Sequence, residues 1–170
     1  MASKTIQDLF VHELSDIYSA EKQLTKALPR LARAASDEEL KKAFEAHAEE
    51  TQRQVERIDA VAQAMDIRVK RLKSGPMESL IEEGRDVIES IPQGPLRDVA
   101  LVAGAQKVEH YEIAAYGTLC ALAKELGQDK AASLLEETLQ EEKQTDQKLT
   151  VLAEQGSNKR AKGQSTQAEQ

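Results

Sequence analysis

Tryptophan is absent from this chain of 170 residues, aromatic residues make up 3%, and there is one cysteine. A lone Cys120 excludes an internal disulfide framework and a zinc–thiolate cluster, and suits a reducing compartment. In "YGTLCALAKEL" it reads as a small buried apolar residue. No apolar run approaches the ~20 residues of a membrane span, and "MASKTIQDLF" lacks the apolar stretch of a signal peptide. The expectation is a cytoplasmic protein with no membrane partner. Positive charge is scarce as well, with 23 Lys and Arg against 30 Asp and Glu and a net charge of −7. No basic face can then dominate binding to phosphates, so nucleic acid is not an expected partner. The one basic run, "RVKRLK" (Arg68–Lys73), reads as a solvated connector whose alternation also suits a short extended segment.

What is abundant is Ala, Leu, Glu, Lys, Gln and Arg, the strong helix formers, which points to an all-α protein. Apolar periodicity gives four long helices. The first spans roughly Thr5 to Ala34, with Ser3 or Thr5 as cap and an inward stripe of Phe10, Leu14, Ile17, Glu21, Leu24, Leu28 and Leu31. Pro29 lies inside it and predicts a kink or break, because it removes a backbone donor. The second spans Asp37 to Met65 behind a Ser36 or Asp37 cap, and its stripe is Leu40, Ala43, His47, Glu50, Gln54, Ile58, Val61 and Met65. The third follows the breaker "IPQGPL" and runs from Leu96 to Leu126, with Gly127 at the C′ position. The fourth, Asp129 to Glu154, carries Ala131, Leu135, Thr138, Glu142, Thr145, Leu149 and Leu152. The long connection Asp66–Gly94 contains a short fifth helix in "GPMESLIEEGRDVIES". Two antiparallel hairpins joined by one long crossover is the connectivity of a ferritin-like four-helix bundle. The bundle is expected over residues 1–155, with 156–170 a polar, disordered tail.

Each long helix thus sets a glutamate near the middle of its inward stripe: Glu21, Glu50, Glu109 and Glu142, with Glu112 one turn from Glu109 in "KVEHYEIAAYGTL". At about 1.5 Å rise per residue, counting from the two hairpin turns lets four or five of them converge on one layer, Glu109 one turn beyond Glu112. A buried layer of unpaired carboxylates is untenable, since even one costs several kcal/mol. Protons, a buried cation such as Arg53, or divalent metal ions can neutralise it. The known di-metal layout takes one Glu from each of two helices and a Glu-x-x-His from each of the others. Here the position three after Glu50 is Arg53 and that after Glu142 is Thr145. His47, one turn before Glu50, and Asp146 or Gln54, one turn after their glutamates, are the available replacements. Gln54 reads as a hydrogen-bond donor to a ligand carboxylate, and Tyr116 falls on the inner face within reach of one. His12 and His110 lie off the inner stripe.

The stretches "LSDIYSAEKQL", "AHAEETQRQVERI", "KVEHYEIAAYGTL" and "LLEETLQEEKQTD" occur in this order, and the chain from Thr5 to Leu152 resembles the YciF-like bacterial stress proteins of the ferritin-like superfamily. The resemblance implies a four-helix bundle with a short extra helix, a homodimer, and kinship to rubrerythrin-type di-iron proteins. The Glu109-x-x-Glu112 pair is similar to the two glutamates of the rubrerythrin third helix. The expected centre holds two divalent ions, iron or manganese, bound by Glu21, Glu50, Glu109, Glu112, Glu142, Asp146 and His47. The expected activity is reduction of peroxide or oxidation of Fe(II), with peroxide or dioxygen as the small-molecule partner. A stress-induced structural protein with a vestigial site, or a cage that stores iron, are the alternatives.

Overall fold

The computed structural model describes the backbone of residues 4–168 and the side chains of residues 4–163. Every described element is helical: α1 (Ile6–Ala34), α2 (Glu38–Ala64), α3 (Gly75–Ser90), α4 (Pro95–Glu125) and α5 (Asp129–Leu152), then a π-helical turn (Ala153–Ser157) and α6 (Asn158–Ala168). Local chemistry sets the boundaries. Thr5 and Asp8 form a capping box at the start of α1, satisfying orphan donors from both sides. The alternative cap, Ser3, lies outside the described residues. Asp37 accepts from the Glu39 and Leu40 amides to open α2. Gly94 (φ 154°) and Gly127 (φ 66°) take backbone conformations that a side chain disfavours, one opening α4 ahead of Pro95 and the other closing it. Pro29 sits inside α1, which continues unbroken to Ala34.

α1 pairs with α2 and α4 with α5 as antiparallel hairpins. The hairpins dock with α2 beside α5 and α1 beside α4, and α3 lies across α1 and α4. The shared interior is filled by Phe10, Leu14, Ile17, Leu24, Phe44, Ile58, Leu119 and Leu135, among others, each contributing roughly 1.5–3 kcal/mol of burial. The connector between α2 and α3 is irregular. Ile67 and Val69 pack against the core and Leu72 is half-buried, while Arg68, Lys70, Arg71 and Lys73 stay exposed. It is pinned to α1 where the Lys70 and Ser74 amides donate to the Ser15 and Ser19 hydroxyls. Asp98, in the first turn of α4, accepts from the Ser36 and Asp37 amides at 2.7 and 3.0 Å and locks the α1–α2 turn to the second hairpin.

The C-terminal segment departs from the disordered tail expected for residues 156–170. Through Ala168 it is helical and lies against α4. Composition alone misses this because the order is tertiary: Ser157 is buried, and Arg160 forms an ion pair with Asp37.

Candidate metal centre

Inward slots on all four long helices meet halfway along the bundle. Glu21 from α1, His47 from α2, Glu109 and Glu112 from α4 and Glu142 from α5 are all buried. One ligand atom from each of His47, Glu109, Glu112 and Glu142 lies within 4.8 Å of the others. Glu21, buried near them, is close enough to feel the charges of His47 and Glu109 and to share a hydrogen bond with Glu112. His47 Nε2 is 3.1 Å from Glu109 Oε1, and its Nδ1 is 3.8 Å from Glu50 Oε2.

Outer groups hold several of these carboxylates. Tyr116, fully buried on α4, donates to Glu21 Oε1 at 2.5 Å. The Gln54 amide donates to Glu142 Oε1 at 2.5 Å and to Glu141 Oε2 at 3.0 Å. Arg57 then clamps Glu141 through both guanidinium nitrogens, reaching Glu137 and Thr138 as well. Arg57 and Glu141 carry no signal in the inward stripe, since they sit beside it. The available cue is that Arg57 follows Gln54 by three positions on α2. Arg53, the cation that sequence reasoning places nearest, is exposed instead.

Two expected ligands stand elsewhere. Glu50 is at the rim, with its side chain 21% exposed, and accepts from Thr145 Oγ1 at 3.3 Å. The inward stripe of α2 passes through His47, Thr51 and Gln54, so Thr51 takes the slot that the heptad count gives to Glu50. Asp146 is outside the cluster. One residue past inward-facing Thr145, it is turned about 100° round α5 and meets the flank of α4. There it pairs with His110 at 3.3 Å and accepts from Gln106 at 3.2 Å. His110 is 70% exposed.

The electrostatics follow from crowding acids in a dry space. Burial pushes Glu21 up to about 7, against the hydrogen bond from Tyr116. Burial, then repulsion from Glu142, Glu21 and Glu109, drives Glu112 well above the usual carboxylate range. Glu142 rises for the same reason, with Glu109 and Glu21 as its repelling neighbours. Burial alone would lower the affinity of His47 for a proton, but the Glu109 and Glu50 carboxylates outweigh it and hold the imidazole protonated well above its ordinary value. Glu50 is lowered, chiefly by the His47 imidazole beside it. Without a bound cation, protons and the charged imidazole must neutralise the layer.

Shared protons can bridge Glu21 to Glu112 and Glu109 to Glu142, but with the carboxylates ionised much is left unsatisfied. Glu21 Oε2, Glu109 Oε2, both oxygens of Glu112, Glu142 Oε2 and Gln54 Oε1 are buried without a hydrogen-bond partner, and neither ring nitrogen of His47 has an aligned one. Buried polar groups normally find partners. An orphaned set of carboxylate oxygens with one imidazole is the donor set that iron and manganese accept, so the residues fit a metal.

A family model described as a domain of unknown function, DUF892, matches residues 5–162. The chain belongs to this family. It is 60% identical over 162 residues to Protein YciF of Escherichia coli, covering 95% of this chain and 98% of the relative. The crystal structure of that E. coli stress protein superposes with a TM-score of 0.90 over 92% of this chain and 99% of its own. YcfI from Rhodopseudomonas palustris, for which a structural role is suggested, is 41% identical with a TM-score of 0.84, covering 88% and 98% of the two chains. A Xanthomonas campestris protein at 22% identity shares the fold, with a TM-score of 0.73 over 94% of this chain and 98% of its own. This chain is thus a YciF-like, all-helical DUF892 protein. No helix among the described residues is long and apolar enough to cross a membrane.

Proposed function

We propose that this protein is a ferritin-like, cytoplasmic stress protein whose buried cluster binds two divalent metal ions, iron or manganese. The orphaned oxygens carry the reading. Charge supports the number: the four buried carboxylates of Glu21, Glu109, Glu112 and Glu142 carry four negative charges when ionised, balanced by two divalent ions. Those glutamates and His47 would hold the metal, with Glu50 at the rim. Bound iron or manganese supplies electron transfer to or from peroxide, dioxygen or Fe(II). The chain's own groups do the rest. Gln54 and Tyr116 orient Glu142 and Glu21 by donating to one oxygen of each, leaving the other oxygen free. Leu24, Phe44 and Leu119 belong to the apolar core around them, which keeps water out and the carboxylates poised. A homodimer belongs to the same proposal, as do peroxide or dioxygen as substrate and an external reductant, since Cys120 is the single cysteine.

Elemental analysis of protein purified without added metal tests this. About two ions per chain are expected in the wild type, and Glu142→Gln should lose them. Full metal content in that variant would remove Glu142 from the site. Peroxide challenge of the loaded protein then separates turnover from storage or sensing. The structural role suggested for YcfI, together with Arg53 and Thr145 standing where the di-metal layout has histidines, favours a second reading: a stress-induced structural protein with a vestigial site. Wild type that binds no metal would select it.

A further inference from the structure

The cluster is walled on most sides. On α4, Tyr116 covers Glu21. Asp16, Tyr111 and Ser74 join α1, α4 and the connector by hydrogen bonds. Along the α2–α5 seam, Gln54 bridges to Glu141 and Glu142, and one helical turn on Arg57 is tied to Thr138, Glu137 and Glu141. In the other direction along the same seam the packing opens. A cavity of about 70 Å³ runs between α2, α4 and α5, and its lining includes buried His47 and Glu109, half-buried Glu50, and exposed Ala46 and Lys148. That volume accommodates several waters.

The geometry points to this cavity as the route by which a small cation reaches the buried cluster, with Glu50 and Lys148 setting the charge at its mouth. The inference rests on the metal-binding reading above and adds where the ion gets in. Three observations converge on it. The cavity shares His47 and Glu109 with the cluster, so it leads to the orphaned ligand atoms themselves. Glu50 stands part-way out on the cavity wall, its side chain 21% exposed, so an incoming cation meets a carboxylate before the buried ones. On the other side of the cluster the seam is bridged by Gln54 and by the Arg57 ion pairs with Glu137 and Glu141. The small side chains Ala43, Ala46 and Ala105 keep the passage clear, and Lys148 opposes cations there by its charge.

Uptake kinetics test the route without reference to turnover. Metal-free protein is mixed with limiting Co²⁺, and free Co²⁺ is followed with a fluorescent chelator. Ala46→Phe places a ring at the mouth from an exposed helix position. It should slow association by about tenfold or more, an added barrier of about 1.4 kcal/mol, while the final stoichiometry and Tm stay those of the wild type. Ala64→Phe, an exposed site about five turns along the same helix, should leave the rate unchanged. Lys148→Glu should speed association severalfold in low salt, and the gain should vanish as salt rises. Loading of Ala46→Phe at the wild-type rate, or a Lys148→Glu rate equal to wild type in low salt, overturns the route. Wild type that takes up no Co²⁺ removes the centre itself, an outcome distinct from a centre that fills by another path.

Discussion

Glu112 shows most sharply what distinguishes a ligand from a structural acid. It is fully buried, and with the acids ionised neither oxygen has a partner, so in the metal-free protein its charge adds desolvation cost and repulsion. Glu112→Gln should therefore stabilise the metal-free protein at pH 8 by about 1–3 kcal/mol, while weakening metal binding at least tenfold. Urea denaturation in chelator and metal titration check the two signs. A loss of stability in chelator would mean that Glu112 is an integrated part of the fold. At this scale the apolar stripe carries far: phase alone places Glu21, Glu109, Glu112 and Glu142 inside. It fails at Glu50 and Asp146. A drift of one position, about 100°, suffices to hand one slot to Thr51 and to turn Asp146 toward His110. Arg57 and Glu141 are invisible to the stripe, since their partners lie on another helix.

Helix ends are where elements register against one another. Asp98 is buried and accepts from the Ser36 and Asp37 amides, so Asp98→Ala orphans two backbone donors at the turn between α1 and α2. The expected loss is about 1–3 kcal/mol, read as a lower urea midpoint. An unchanged midpoint would show that water replaces the carboxylate without penalty. The boundaries themselves are legible because they are local: Asp37 as cap, Pro95 after Gly94, Gly127 past the end of α4. The C-terminal extension is not, because its helicity depends on Ser157 finding the interior and Arg160 finding Asp37, and a polar sequence does not advertise distant partners. Pro29 shows the converse, a local disruption absorbed by a helix packed along most of its length.

For the molecule as a whole, the raised carboxylates fix the sign of the pH dependence. Glu21, Glu112 and Glu142 hold protons more tightly folded than unfolded, and so does His47. The folded state binds more protons, so stability falls as pH rises. The contribution from Glu21 is complete below its ordinary value of 4.5 and is lost as pH climbs through about 7, with Glu112 and Glu142 continuing above. Glu50 and Asp8, both lowered, act only at the acid end. In chelator, Tm should decline from pH 5 to pH 8. Saturating Mn²⁺ should flatten or reverse the slope, since the ion displaces those protons. A metal-free Tm that climbs across this window contradicts the assignment. The division of the cluster between hairpins has a last implication. Glu21 and His47 travel with α1 and α2, while Glu109, Glu112 and Glu142 travel with α4 and α5. Neither half assembles the set alone, so the acids are driven together only in the closing stage of folding.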